Sequence, residues 1–278
     1  MDLTNYKITE VTLNVNNLSK MSHFYQEIMG LTILKEETDL VILGIKETKT
    51  PLLTLKAVKT LKTPTSGLYH VAYLLPNRNA LGNFLRHIAV TQYPLQGASD
   101  HGYSEAIYLA DPEGNGIEVY ADKDESLWDI RDNGIIVGVT EPMDVEGVLE
   151  AADEEFEKMT PETFIGHVHL AVSEVAETSR FFTDILAFTI TTEFGQQAAF
   201  YGKDGYHHQF AGNVWETRHA TKNDPLAPGL AGIKVALAQE VFNDTLTALE
   251  RATYPFDLQD NELNFVDPNN IAFRYQVN

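Results

Sequence analysis

Two stretches of this 278-residue chain, ITEVTLNVNNLSKMSHFYQEIMGL from Ile8 and IGHVHLAVSEVAETSRFFTDILAF from Ile165, are one segment written twice. Ile8/Ile165, Val11/Val168, Leu13/Leu170, Val15/Val172, Ser22/Ser179, Phe24/Phe181, Ile28/Ile185 and Thr32/Thr189 keep a constant separation of 157 positions. A repeat of this kind constrains the fold more than local propensity does, because both copies must build the same supersecondary structure. Each opens on alternating apolar residues (Val11, Leu13, Val15; Val168, Leu170, Val172), the pattern of a half-buried strand. A polar turn and an amphipathic helix follow. In the first copy Ser19 or Ser22 is the candidate cap, Phe24, Tyr25 and Ile28 sit at helical spacing, and Gly30 marks the end. Half-way through each copy the pattern restarts, at GLYHVAYLLPNRNALGNFLRHIAV and at GLAGIKVALAQEVFNDTLTALERAT. The chain therefore reads as four β-α-β-β-β units of roughly 50 residues each.

The fold class expected is α+β, in two tandem domains over residues 7–122 and 164–278. Residues 123–163 break the pattern and read as an acidic connector, with Trp128, a strand over GIIVGV and a helical run rich in Asp and Glu. Hydrophobic content of 44% and charged content of 22% suit a soluble globular protein. No apolar run reaches membrane-spanning length, and the opening MDLTNYKITE has no signal-peptide character, so a cytoplasmic location is expected. A formal charge of −20 disfavours nucleic acid and anionic lipid as partners. There is no cysteine, which leaves histidines and carboxylates as the candidate metal ligands.

The copies differ where chemistry would sit. The second has His167 and His169 where the first has Glu10 and Thr12. Further on, the first has YHVAY and GIEVY where the second has GIKVA and IAFRY, which puts Gly232 and Phe273 at the positions of His70 and Glu118. Glu118 is the most telling residue. A carboxylate between Ile117 and Val119 in an apolar strand needs a partner, since leaving it buried and unpaired costs about 3–5 kcal/mol. A single strand histidine is more often a packed or surface residue. His23 and His87, in helices, and His219, in a polar loop, receive no role.

These residues resemble the vicinal oxygen chelate superfamily of glyoxalases, antibiotic-resistance binders and extradiol dioxygenases. The landmarks are FYQEIMGL, FFTDILAF and DPEGNGIEVY, and the likeness spans the chain except the connector. It implies cup-shaped mixed sheets with a divalent metal on the concave face. The finer resemblance is to two-domain catechol 2,3-dioxygenases. It implies His70, Glu118 and His167 as metal ligands, His208 of the Gly205–His208 segment as acid/base, and Tyr108 and His101 as contacts to the ring oxygens. His207 remains a candidate beside His208, and Tyr206, Phe210 and Trp215 are candidate ring walls. The implied cofactor is Fe(II), with Mn(II) as the alternative, and the implied partners are a small aromatic diol and dioxygen; a homo-oligomer is compatible. Competing readings are a glyoxalase-type isomerase, which wants four protein ligands, and a metal-free aromatic or drug binder. The strand PLLTLKAV offers no carboxylate or histidine to the first of these.

The ligand set is split between the copies, which leads to a topological expectation. Unit two should pair with unit three, and unit one with unit four, to give one complete cup and one without ligands.

Overall fold

The computed structural model describes residues 5–278; the first four residues of the N-terminal stretch discussed above lie outside the described residues. Unit one contains β1 (Tyr6–Val15), α1 (Leu18–Glu27), β2 (Thr32–Glu36), β3 (Leu40–Ile45) and β4 (Thr50–Ala57). Unit two contains β5 (Gly67–Leu75), α2 (Arg78–Thr91), β6 (Gly97–Asp100), β7 (Ser104–Ala110) and β8 (Gly116–Asp122). The connector adds β9 (Glu141–Pro142) and α3 (Val145–Glu150). Unit three has β10 (Phe164–Ala171), α4 (Val175–Arg180) with a π turn over Phe181–Ile185, β11 (Thr189–Glu193), β12 (Ala198–Gly202) and β13 (Phe210–Asn213). Unit four has β14 (Gly229–Leu237), α5 (Gln239–Arg251), β15 (Phe256–Gln259), β16 (Glu262–Val266) and β17 (Ala272–Val277).

The units pair across the copies. One sheet runs β15-β16-β17-β14-β1-β4-β3-β2, and the other β11-β12-β13-β10-β5-β8-β7-β6-β9. Unit one thus shares a sheet with unit four, and unit two with unit three. At each seam the leading strands are antiparallel, β1 with β14 and β10 with β5. Even the irregularities repeat: the register shifts at Ile8/Glu10 and Thr12/Leu13 in one seam, and at Ile165/His167 and His169/Leu170 in the other. Such bulges bend a strand and increase its twist, which curls each sheet. The apolar faces of both sheets and the helices meet in one continuous core. Its aromatic part joins three units: Tyr6 packs edge-on against Phe188, Phe182 contacts Phe210 and Phe273, and the hydroxyls of Tyr6 and Tyr275 are hydrogen-bonded. Burying several such rings is a large favourable term, on the order of 2–3 kcal/mol each.

Several local expectations change. The cap of α1 is Asn17, whose side chain accepts from the Lys20 amide at 2.9 Å; Ser22 is buried on the helix instead. GIIVGV forms only an isolated bridge, Ile130 to Ile136, because connector backbone groups bond to the neighbouring loops and to β11 rather than to a partner strand. The Asp–Pro turns align without a gap, since the Asp111 and Asp267 amides donate to Asn115 and Ile271 in the same way. Strand register then pairs Ala72 with Glu118 in unit two, and Lys234 with Arg274 in unit four. Arg274, not Phe273, therefore stands at the position of Glu118, and Phe273 points into the core. Among the described residues no helix is long and apolar enough to cross a membrane.

Candidate metal centre

β8, β5 and β10 lie side by side in the middle of the second sheet. Register places Glu118 beside Ala72 on one flank of β5 and His167 beside Ala72 on the other. His70 lies two residues before Ala72, on the same face. The three side chains can converge because the residue between them is alanine. His70 Nε2 is 3.0 Å from Glu118 Oε2, His167 Nε2 is 3.3 Å from the same oxygen, and the two ring nitrogens are 3.3 Å apart. Ligand atoms on adjacent corners of an octahedron, with bonds of about 2.1–2.3 Å, stand roughly 3.0–3.3 Å apart. The donor set therefore fits one face of a divalent cation, with the remaining positions open. It is the one cluster of three or more such ligands among the described residues.

The electrostatics agree. Glu118 is 3% exposed, and burial works to raise its pKa, but the contacts with His167 and His70 outweigh this and hold it well below the usual carboxylate range. Burial pushes His167 down to about 4, so its ring is neutral near pH 7. An ionised carboxylate beside a neutral imidazole is the protonation state a cation needs. His167 Nδ1 is buried without a hydrogen-bond partner, so only Nε2 anchors this ring.

Around the triad opens a cavity of about 1050 Å³. Tyr108 is the cross-strand partner of Glu118 and shares its face. Its hydroxyl lies 2.5 Å from His101 Nε2, and His101 Nδ1 lies 2.8 Å from the Val139 carbonyl. Nδ1 must donate to that carbonyl, so the neutral ring accepts the tyrosine proton at Nε2. His101 is occupied at both nitrogens and reaches the site through Tyr108. Burial, and then the charge of Glu118, push the Tyr108 phenol well above its ordinary pKa, so it stays protonated. Val139 and its neighbours Gly138 and Thr140 line the cavity, which makes the connector part of the site wall.

His207 and His208 lie in the turn before β13 rather than in the strand, and the turn separates their roles. His208 lines the cavity and packs 4.2 Å from the His167 ring; His207 turns away and stacks on Tyr103 at 4.2 Å. His169 faces the cavity without joining the triad; its Nε2 accepts from Asn213 at 3.0 Å, and burial first of all lowers its pKa. Of the expected ring walls, Trp215 lines the cavity. Tyr206 and Phe210 do not, because Tyr206 bonds to Asp122 and Phe210 belongs to the core. Phe200 and Tyr69 stand in their place. Ala72 and Gly166 carry no chemical signature in the sequence, yet both are required. A Cβ on Gly166 would lie 1.8 Å from the Tyr120 hydroxyl, which packs beside His167.

The other cup has lost this chemistry. Glu10, at the position of His167, accepts from Thr54 at 2.7 Å and from Lys234 Nζ at 2.9 Å. Gly232 replaces His70, and Arg274 brings a second cation to the position of Glu118. An ion pair stands where a metal would, and two cations there would repel one.

The chain is similar to known proteins. Residues 7–119 match the family model described as the Glyoxalase/Bleomycin resistance protein/Dioxygenase superfamily. The chain is 36% identical over 263 residues to the catechol-2,3-dioxygenase of Bacillus subtilis (strain 168), an alignment covering 92% of each. Among solved structures, a putative dioxygenase from Bacillus subtilis subsp. subtilis str. 168 superposes with a TM-score of 0.64 at 13% identity, over 99% of this chain and 86% of that one. The cppA protein from Streptococcus pneumoniae TIGR4 does so with a TM-score of 0.59 at 15% identity, over 99% of both. At these identities the structural likeness concerns the fold.

Proposed function

The chain belongs to the glyoxalase/bleomycin resistance/dioxygenase superfamily, and we propose that it is an extradiol dioxygenase opening catechol-type rings at a divalent metal, Fe(II), held by His70, Glu118 and His167. The spacing of these three donor atoms, 3.0–3.3 Å on one buried face, carries the reading. The named activity of the 36% identical relative supports it. When bound, Fe(II) would supply open positions for both catechol oxygens and for dioxygen, and an electron route between them. With only three protein ligands, the site differs from the four-ligand set a glyoxalase-type isomerase wants.

The remaining steps belong to the chain's own residues. His208 Nε2 takes the proton of a catechol hydroxyl and later returns it to the opening ring, a general acid–base role. The Tyr108 hydroxyl, held by His101, places its oxygen against a substrate hydroxyl on the same face as Glu118. Phe200, Tyr69 and Trp215 wall the ring, and the cavity leaves room for substituents beyond it.

Anaerobic loading with Fe(II), followed by catechol in air, tests the reading: a yellow ring-opened product is expected. Turnover of a hemithioacetal on Ni(II) or Zn(II) without ring opening would replace it with an isomerase. Tight aromatic binding with neither activity would replace it with a binding protein. His208→Ala should keep the metal and lose turnover; metal loss in that variant would contradict the role given to His208.

A further inference from the structure

Behind His208, away from the cavity, runs a hydrogen-bonded chain that the reaction itself does not touch. His208 Nδ1 and His207 Nδ1 are 2.8 Å apart, and His207 Nε2 is 3.0 Å from Asp122 Oδ1. The Tyr206 hydroxyl donates to Asp122 Oδ2 at 3.0 Å, and the hydroxyls of Tyr120 and Tyr206 are 2.6 Å apart. Tyr120 and Asp122 follow Glu118 along the same face of β8, whereas Tyr206, His207 and His208 come from unit three. The network spans the same seam as the metal triad.

We propose, building on the dioxygenase reading, that Asp122 and His207 are positioning residues that set the tautomer and orientation of His208. The argument is one of donors and acceptors. A carboxylate only accepts, so His207 donates from Nε2. In the neutral form of His207 this tautomer leaves only a lone pair at Nδ1, and the 2.8 Å contact then places the hydrogen on His208 Nδ1. His208 Nε2 is left bare on the cavity side, with no protein partner among the described residues. A base that must take a hydroxyl proton needs that lone pair; the opposite tautomer would present an N–H and could take none.

The surroundings hold the arrangement. His207 lies nearly parallel to Tyr103, with an interplanar angle of 14°, and the Tyr206 and Trp128 rings stand 4.0 and 5.4 Å from it, so neighbouring aromatic rings hold its plane. Tyr206 occupies the second oxygen of Asp122 and orients the carboxylate. In the reaction the substrate proton moves to His208 Nε2 and gives an imidazolium whose Nδ1–H still donates to His207. The same Nε2 then releases it to the product oxygen, and no proton need pass to His207 or Asp122.

The test uses the full chain with ¹⁵N-labelled histidine, loaded with Zn(II) for the spectra and with Fe(II) for turnover. His208 should show the Nδ1–H tautomer. His207→Phe keeps the ring stack but removes the acceptor; it should abolish that tautomer signature and lower kcat roughly 10²-fold, within the range a general base supplies, with KM and metal content unchanged. His207→Asn, whose amide oxygen can sit near the lost Nδ1, should recover most of the loss. Asp122→Asn should fall between wild type and Asp122→Ala. An Nε2–H tautomer in the wild type, or unchanged kcat in His207→Phe, would overturn the proposal. So would a loss confined to KM, metal content or melting temperature, which would mark a structural role. If the wild type opens no catechol yet His208 shows an Nδ1–H tautomer that His207→Phe removes, the dioxygenase reading fails and the positioning stands.

Discussion

Glu118→Gln separates ligation from packing, and its effect can be worked from the site. The substitution preserves shape and removes the charge of a residue that touches both His70 and His167 through one oxygen. In the wild type, free metal at 100 times its Kd stabilises the folded state by about 2.7 kcal/mol. A chain of 278 residues unfolds with an entropy near 0.6 kcal/mol/K at about 2.1 cal/mol/K per residue, so the melting temperature should rise by about 5 °C. If losing the charged ligand weakens binding 100-fold, the stabilisation drops to about 0.4 kcal/mol, a shift of less than about 1 °C. Without metal the Gln variant should be the less stable of the two, because the histidine contacts that outweigh burial of the wild-type carboxylate are weaker to a neutral amide. The assay is a pair of thermal melts for each protein, in chelator and in anaerobic Fe(II). Equal metal-induced shifts in both proteins would refute ligation by Glu118.

Three further outcomes follow from neighbouring residues. Tyr108→Phe should retain the metal and lower kcat by about 10²-fold, the scale of one lost hydrogen bond at a reacting oxygen; unchanged turnover would remove Tyr108 from the reaction. Ala72→Leu inserts a branched side chain between Glu118 and His167, whose Cβ atoms lie about 5 Å from that of residue 72. It should cost about 1–3 kcal/mol of stability and most of the metal content; full occupancy would contradict convergence around Ala72. In the ligand-free cup, burial raises the Asp267 pKa to about 6. The folded state therefore holds that proton more tightly than the unfolded chain, and the contribution is present below about pH 4 and lost as pH rises through 6. The difference is worth about 3 kcal/mol. In urea melts of the metal-free protein, wild-type stability should fall relative to Asp267→Asn between pH 4 and 7; parallel profiles would contradict this.

The repeat made the architecture readable. Identical apolar spacing at Val11 and Val168 implies identical strands, and the complementary placing of His167 against His70 and Glu118 implies which units must meet. What escaped depends on packing rather than on residue type. Ala72 and Gly166 matter because they are small, and smallness has no chemical signature. Setting GIEVY against IAFRY puts Phe273 at the position of Glu118 in the other cup, whereas the turn hydrogen bonds at Asp111 and Asp267 align it with Arg274. The contribution of Val139 to His101, and of Asp122 to His207, links elements far apart in the sequence through backbone and side-chain geometry that periodicity does not carry. The inward-facing histidine was resolved only by a turn at Gly205, whose φ of 76° ends strand alternation before the His pair.

The central claim is that one metal site is assembled from both copies and that the other cup has none. A crystal structure of the full chain grown with Fe(II) or Mn(II), using anomalous scattering to locate the ion, tests it most directly. The account predicts one ion per chain, bonded at about 2.0–2.3 Å to Nε2 of His70, Nε2 of His167 and a carboxylate oxygen of Glu118. An ion held by residues of a single copy, or seated at Glu10 in place of Lys234, would contradict it.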